Sequence, residues 1–287
     1  MPSLVAIRHA PWSTSKARCA LRCSQEFHFR YVDKIPEPQV GPELRLGKAV
    51  HAALEGMLLQ RVPLAEALAA GRNELLTDEE RARFDGMSKA VAAFGERIDA
   101  FRQRRHVRSE MVEHKLAVRA DLTPTLFHGK DAFFRGVWDA GFVFDDFVIA
   151  LVDHKTGMRR PATEFSEQLG GYAMLAAAHL PEVKRVWLGV HFVESADLEW
   201  APPIDADTVF ELFAPRIVDL IERAAENVAR GPTTTVGPWC PRCSYHAICP
   251  AMRALDGAEV AAWSAPGVQL TLDVDLSEVK AEGRDPA

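Results

Sequence analysis

The stretch from Ala150 to Gly157, ALVDHKTG, runs an apolar segment straight into an acid and a lysine two positions apart. Residues Phe147–Lys155 are rich in Val, Ile and Ala and read as a buried strand, where a charge is expensive unless it is paired. Successive strand side chains alternate faces, so Asp153 and Lys155 project to one side, about 7 Å apart. Ile149 and Leu151 share that side, and Val152 packs on the other. Taken alone, such a pair can be a surface ion pair at a strand end.

The preceding strand, Phe133–Phe144, makes that reading insufficient. If the hairpin turns about Asp146, Asp139 falls opposite Asp153, with Cβ atoms about 4.5–5.5 Å apart. Two carboxylates so placed repel, and a divalent cation between them turns the cost into binding. A tight two-residue turn at Asp145-Asp146 would instead pair Asp139 with Val152, so the arrangement requires a three-residue loop or a bulge. Lys155 beside the cation would orient or help deprotonate an attacking water and offset charge on a phosphate oxygen. The chemistry expected is metal-assisted phosphodiester hydrolysis.

The rest of the chain supplies elements for a large core, with 48% of its 287 residues hydrophobic. Apolar spacing over residues 1–35 predicts one or two short helices before Pro36 and Pro38. Helices follow over Leu46 to about Arg61, 64–76 and 79–106. Strands are expected at Glu110–Val118, Phe133–Phe144, Phe147–Lys155 and Val183–Val193, the second and third forming the hairpin. Thr163–Leu180 predicts a helix with Thr163 as N-cap, and 205–230 a last long helix. The fold class is α/β, with a central mixed sheet carrying the site at one edge and helices around it.

The net charge of −6 argues against a purely electrostatic nucleic-acid binder, though not against an enzyme with a local basic groove. The candidate basic patch is RQRRHVR over 102–108, which could equally be a solvated helix end. No apolar run of about eighteen residues suggests a membrane span, and the N-terminus lacks a secretory pattern, so a cytoplasmic protein is expected. There is no G-x-x-x-x-G-K-[ST] phosphate loop.

Five cysteines in such a chain point to metal or redox chemistry rather than disulfides. Cys240, Cys243 and Cys249 crowd into WCPRCSYHAIC, and one of Cys19 and Cys23 would complete four thiolates. Four thiolates suit tetrahedral zinc or a 4Fe–4S cluster, and spacing does not separate the two.

Several segments stand together in a familiar order: GKAVHAALEG around His51, GVWDAGF around Asp139, VDHKTG around Asp153 and Lys155, and QLGGYAMLA with Gln168 and Tyr172. From residue 13 to about 250 the chain resembles the PD-(D/E)XK nuclease superfamily. The likeness is to its RecB-like exonuclease branch, which includes CRISPR-associated RecB-like and AddB-like nucleases. The resemblance implies a restriction-endonuclease-like core. It makes Asp139 and Asp153 ligands of Mg²⁺ or Mn²⁺, with the His154 carbonyl and His51 as further ligands, and Lys155 the catalytic lysine. Gln168 and Tyr172, at i and i+4 on one helix face, would hold DNA near the metal. Glu113 in VEHKL matches the acid of the first core strand, with Glu110 a competitor. Without the resemblance, His51 would read as a helix histidine bonded to Glu55.

The same resemblance implies a 4Fe–4S cluster, favoured over zinc, held by Cys23, Cys240, Cys243 and Cys249 and clasping the two ends of the chain. Cys19 is the rival because serine follows Cys23 where the family has proline. It further implies one nuclease domain over 1–256, comprising a helical insertion (about 46–106), a core (about 108–195) and a C-terminal helix with the cysteine knuckle (205–250). A polar, partly disordered tail is expected at 257–287. The expected function is a metal-dependent DNA exonuclease in recombination, repair, phage DNA processing or CRISPR adaptation, acting on single strands or duplex ends. The alternative is a non-catalytic DNA-binding adaptor in a helicase or integrase complex; an iron–sulfur redox carrier is a third reading.

Overall fold

The computed structural model describes residues 2–37, 41–59, 61–157 and 159–254, so the expected tail lies outside the described residues. Its centre is a seven-stranded mixed sheet. The strands are β1 (Val107–Val118), β2 (Pro124–Thr125), β3 (Phe134–Phe144), β4 (Val148–Lys155), β5 (Arg185–Phe192), β6 (Asp197–Trp200) and β7 (Ile204–Asp205). Their order is β2-β1-β3-β4-β5-β6, with β7 also on β5. All pairs are antiparallel except β4–β5. A parallel neighbour demands a crossover, supplied by α7 (Ser166–His179).

Both faces of the sheet are covered, which is why β4 is apolar from Val148 to Val152 rather than alternating. On one face α2 (Thr14–Arg22), α7 and α8 (Val209–Ala229) bury Leu116, Ile149, Leu151, Leu175, Phe213 and Leu220. On the other, α4 (Pro42–Leu58) and α6 (Asp78–Arg104) bury Leu54, Phe94, Phe142, Val152 and Trp187, with α5 (Leu64–Asn73) between them in sequence. A capping box starts α6: Thr77 Oγ1 accepts from the Glu80 N–H, and Glu80 Oε2 accepts from the Thr77 N–H, both at 3.2 Å. Short helices α1 (Leu4–Arg8) and α3 (Ser24–Phe27) precede this unit, and α9 (Pro250–Ala254) follows it.

Some expectations are corrected. Thr163 does not cap α7: it lies in a 3₁₀ turn over Ala162–Phe165, and its carbonyl, not its hydroxyl, takes the Ser166 N–H. The turn runs directly into the helix and satisfies the first N–H groups with backbone. The 102–108 segment is not a free basic patch, because Arg102 bonds Glu110 and Asp99 and Arg105 pairs with Asp146. Strands β6 and β7 were not anticipated, and the last helix starts at Val209 rather than 205; pairing with β5 supplies the order that the local sequence of the two strands lacks.

Candidate active site

The hairpin joining β3 and β4 has the three-residue loop the site requires, Asp145 to Phe147. Phe147 takes φ 62° and donates its N–H to Phe144 O at 3.1 Å. The pairs Ala140↔Val152, Gly141↔Leu151, Phe142↔Ala150 and Val143↔Ile149 follow, and the next rung sets Asp139 across from Asp153. On the other side of β3, Val112↔Ala140 and His114↔Trp138 flank a rung where Glu113 stands across from Asp139. Glu113 has φ 47°, a left-handed conformation costly for a residue with a Cβ. At this rung the packing changes sides: Trp138 belongs to the α7–α8 core and Ala140 to the α4–α6 core. The three acids therefore lie side by side on β1, β3 and β4. Among the described residues β2 reaches only Ala117 and Val118, so at Glu113 β1 is the outermost strand and the site opens at that edge of the sheet.

His51 reaches this row from α4, one helix face inward from solvent. Its Nδ1 lies 3.3 Å from Glu113 Oε1 and 3.5 Å from Asp139 Oδ1, and its Nε2 lies 3.3 Å from the His154 carbonyl. The helix-internal bond to Glu55 is not made; Glu113 takes its place. Asp139 Oδ2 accepts the His154 N–H at 2.7 Å. Among the described residues, His51, Glu113 and Asp139 are the one group of three metal-ligating side chains whose donor atoms all lie within 4.8 Å of one another. Two carboxylates and an imidazole fit a divalent cation, and the imidazole suits Mn²⁺ better than Mg²⁺. Glu110 is elsewhere, held by Arg102 and Arg61.

The electrostatics match a site built for a cation. Burial, then the nearby Asp153 charge, raises Asp139 to about 7. Burial works against a charged His51, but its hydrogen bond to Glu113 and the charges of Asp139, Glu113 and Asp153 outweigh that and raise it to about 9.

Asp153 is not in that trio. It is almost wholly buried and faces a second cluster. Its Oδ2 lies 2.7 Å from Lys155 Nζ, although it receives no well-directed hydrogen bond, and its Oδ1 accepts from Gln168 Nε2 at 2.8 Å. Gln168 Nε2 also reaches Tyr172 OH at 2.8 Å, while Gln168 Oε1 accepts from Lys155 at 3.0 Å. Burial, reinforced by Asp153 and Asp139, drives the Tyr172 phenol well above its usual range, so it stays a neutral donor. Every site residue expected on these strands and helices except Glu110 is thus brought into two adjoining clusters.

Two neighbours were not anticipated. His191 on β5 pairs with His154 through their Nδ1 atoms at 3.0 Å, with Phe94 stacked on it. Burial, with Arg97 next, lowers His191 to about 4, and burial with His191 next lowers His154 well below its usual value. The one signal was a histidine inside the apolar run VKRVWLGVHFV. Phe165 presents its ring to Lys155, 5.1 Å from Nζ to centroid.

At the far end of the chain, Cys23, Cys240, Cys243 and Cys249 line one cavity together with Glu26 and Tyr245. Cys19 does not line it. All five cysteines are unpaired. No three of these sulfurs lie within 4.8 Å of one another.

Among the described residues no helix is long and apolar enough to cross a membrane. No curated protein matches the chain. Solved structures similar to it include a candidate exonuclease from Eubacterium rectale, with 12% identity over 94% of this chain and 92% of that one and a TM-score of 0.48. Another is SSO0001, at 13% identity, 84% and 86% coverage and a TM-score of 0.37. The model of the PD-(D/E)XK nuclease superfamily matches residues 11–250, spanning every element that builds the site. The chain belongs to the PD-(D/E)XK nuclease superfamily.

Proposed function

We propose that this protein is a Mg²⁺- or Mn²⁺-dependent deoxyribonuclease. The observation that carries the reading is the convergence of His51, Glu113 and Asp139 donors beside the Asp153–Lys155 pair. His51, Glu113, Asp139, Asp153 and the His154 carbonyl would hold the cation, with Asp153 turning from Lys155 to do so. The ion, when bound, polarises a phosphate oxygen and acidifies a water. Lys155 holds that water in line and donates to the phosphate oxygen on which charge develops. Gln168 and Tyr172 keep Lys155 and Asp153 in register.

Exonuclease action, and a place in recombination, repair, phage DNA processing or CRISPR adaptation beside a helicase or integrase, rest on the resemblance of the motifs to RecB-like nucleases. A 4Fe–4S cluster on Cys23, Cys240, Cys243 and Cys249 is supported by their common cavity. Tetrahedral zinc, with Zn–S about 2.3 Å, would draw sulfurs to about 3.8 Å of one another.

The test uses DNA end-labelled at either terminus, single-stranded and duplex, with Mg²⁺ or Mn²⁺. Asp153→Ala and Lys155→Ala are each expected to slow cleavage by about a hundredfold or more. Equal cleavage by wild type and both variants would end the proposal, and the labelled termini assign polarity. DNA binding without cleavage under any ion would favour the adaptor reading.

A further inference from the structure

Lys155 is the last residue of β4, at the mouth of the site, and a lysine stem in that position has many rotamers to lose. Its ammonium is nevertheless held from three sides: by Asp153 Oδ2 at 2.7 Å, by Gln168 Oε1 at 3.0 Å, and by the face of the Phe165 ring at 5.1 Å. The geometry points to Phe165 as a positioning residue for Lys155. This inference rests on the nuclease reading and deepens it by naming what keeps the lysine in place during the reaction.

The three contacts differ in kind. An ammonium has three N–H donors; Gln168 Oε1 accepts one, while Asp153 Oδ2 meets the charge at 2.7 Å without a well-directed hydrogen bond. The ring attracts the charge through its quadrupole without claiming a proton direction, so N–H donors stay free for a water or phosphate oxygen. Asp153 is also the partner that Lys155 must share with a cation, and that contact weakens when the site is loaded. Gln168 and the ring remain. Phe165 is itself braced: it ends the 3₁₀ turn leading into α7, and its ring packs 6.0 Å from that of Phe192 in the core. Phe165, Gln168 and Tyr172 fall at i, i+3 and i+7, so one helical face carries the ring, the amide and the phenol that surround Lys155 and Asp153.

A leucine at 165 keeps an apolar bulk but removes the quadrupole, whereas tryptophan keeps a ring face; together they separate filling space from holding charge. In single-turnover cleavage of labelled DNA with Mn²⁺, F165L is expected to lower the rate about five- to tenfold with KM unchanged, and F165W to retain most of it. In NMR spectra of the cation-free protein, the Lys155 ε-methylene protons should be shifted upfield by the ring in wild type and F165W and not in F165L. An F165L enzyme as fast as wild type, a tryptophan variant as slow as the leucine one, or no ring-dependent shift would each overturn the inference. Wild type that cuts no DNA with any divalent ion brings down the nuclease reading itself; wild type that cuts beside an equally fast F165L brings down only the role of Phe165.

Discussion

His51 and Asp139 bind protons more tightly in the folded protein than in a free chain, and both shifts trace to the same crowding of acids. Asp139 rises from 3.8 to about 7 and His51 from 6.5 to about 9. For each group the folded state holds more protons than the unfolded state, so stability falls as pH rises. The window runs from about 4 to 7 for Asp139 and about 6.5 to 9 for His51. Thermal melts without divalent ions should therefore show Tm declining between pH 5 and 9, with a shallower decline in Asp139→Asn. Mn²⁺, which binds the deprotonated ligands, should raise Tm more at pH 8 than at pH 6. A slope indifferent to Asp139→Asn, or a Mn²⁺ effect indifferent to pH, would contradict this account. At this scale Asp139, Asp153, Lys155 and His51 were legible in sequence through their motifs. The choice of Glu113 over Glu110 was not, because both lie on β1 and only the arginines packed around Glu110 withdraw it.

Helix α7 shows how an element delivers a site. Two of its residues, Gly170 and Gly171, let it lie close between α8 and β3: a Cβ on Gly170 would come within 2.3 Å of Phe213 Cδ1, and one on Gly171 within 2.9 Å of Phe134 Cζ. That approach sets Gln168 and Tyr172 against Asp153. Gly170→Ala should overpack the α7–α8 contact, costing about 1–3 kcal/mol, or roughly 3–10 °C in Tm, and slow cleavage as α7 backs away. A calorimetric Tm within a degree of wild type would show that the helix pair has slack. The element boundaries were largely legible because amphipathic helices and Val- and Phe-rich strands carry strong periods. The start of α7 and the strands β6 and β7 were not, since turn backbone and β5 pairing, rather than local propensity, create them.

Across the whole molecule, the segment 24–35 near the start meets the segment 231–245 that follows α8. Ser24 Oγ donates to Gly231 O at 2.7 Å, Gln25 N–H to Thr233 O at 3.0 Å, and Tyr245 OH to Ile35 O at 3.0 Å. The cavity of Cys23, Cys240, Cys243 and Cys249 lies in this junction, joining positions more than two hundred residues apart. The proposed cluster would close so long a loop there that its removal should cost substantial stability. In anaerobically purified protein, Cys243→Ser is expected to lower iron content and Tm together. A serine variant with wild-type Tm and activity and no iron would refute the clasp.

What the sequence by itself determined is the chemistry that can be present: the periods that make helices and strands, and two aspartates and a lysine whose strand spacing is dictated by the pleat. Those are local properties, carried by neighbours along the chain. Tertiary structure alone decided the strand pairing that sets Glu113, Asp139 and Asp153 in one row across β1, β3 and β4. It also brought Glu113, His51 and Phe165 in from distant segments. Each of these depends on contacts between residues far apart in sequence, where packing and pairing outweigh local preference.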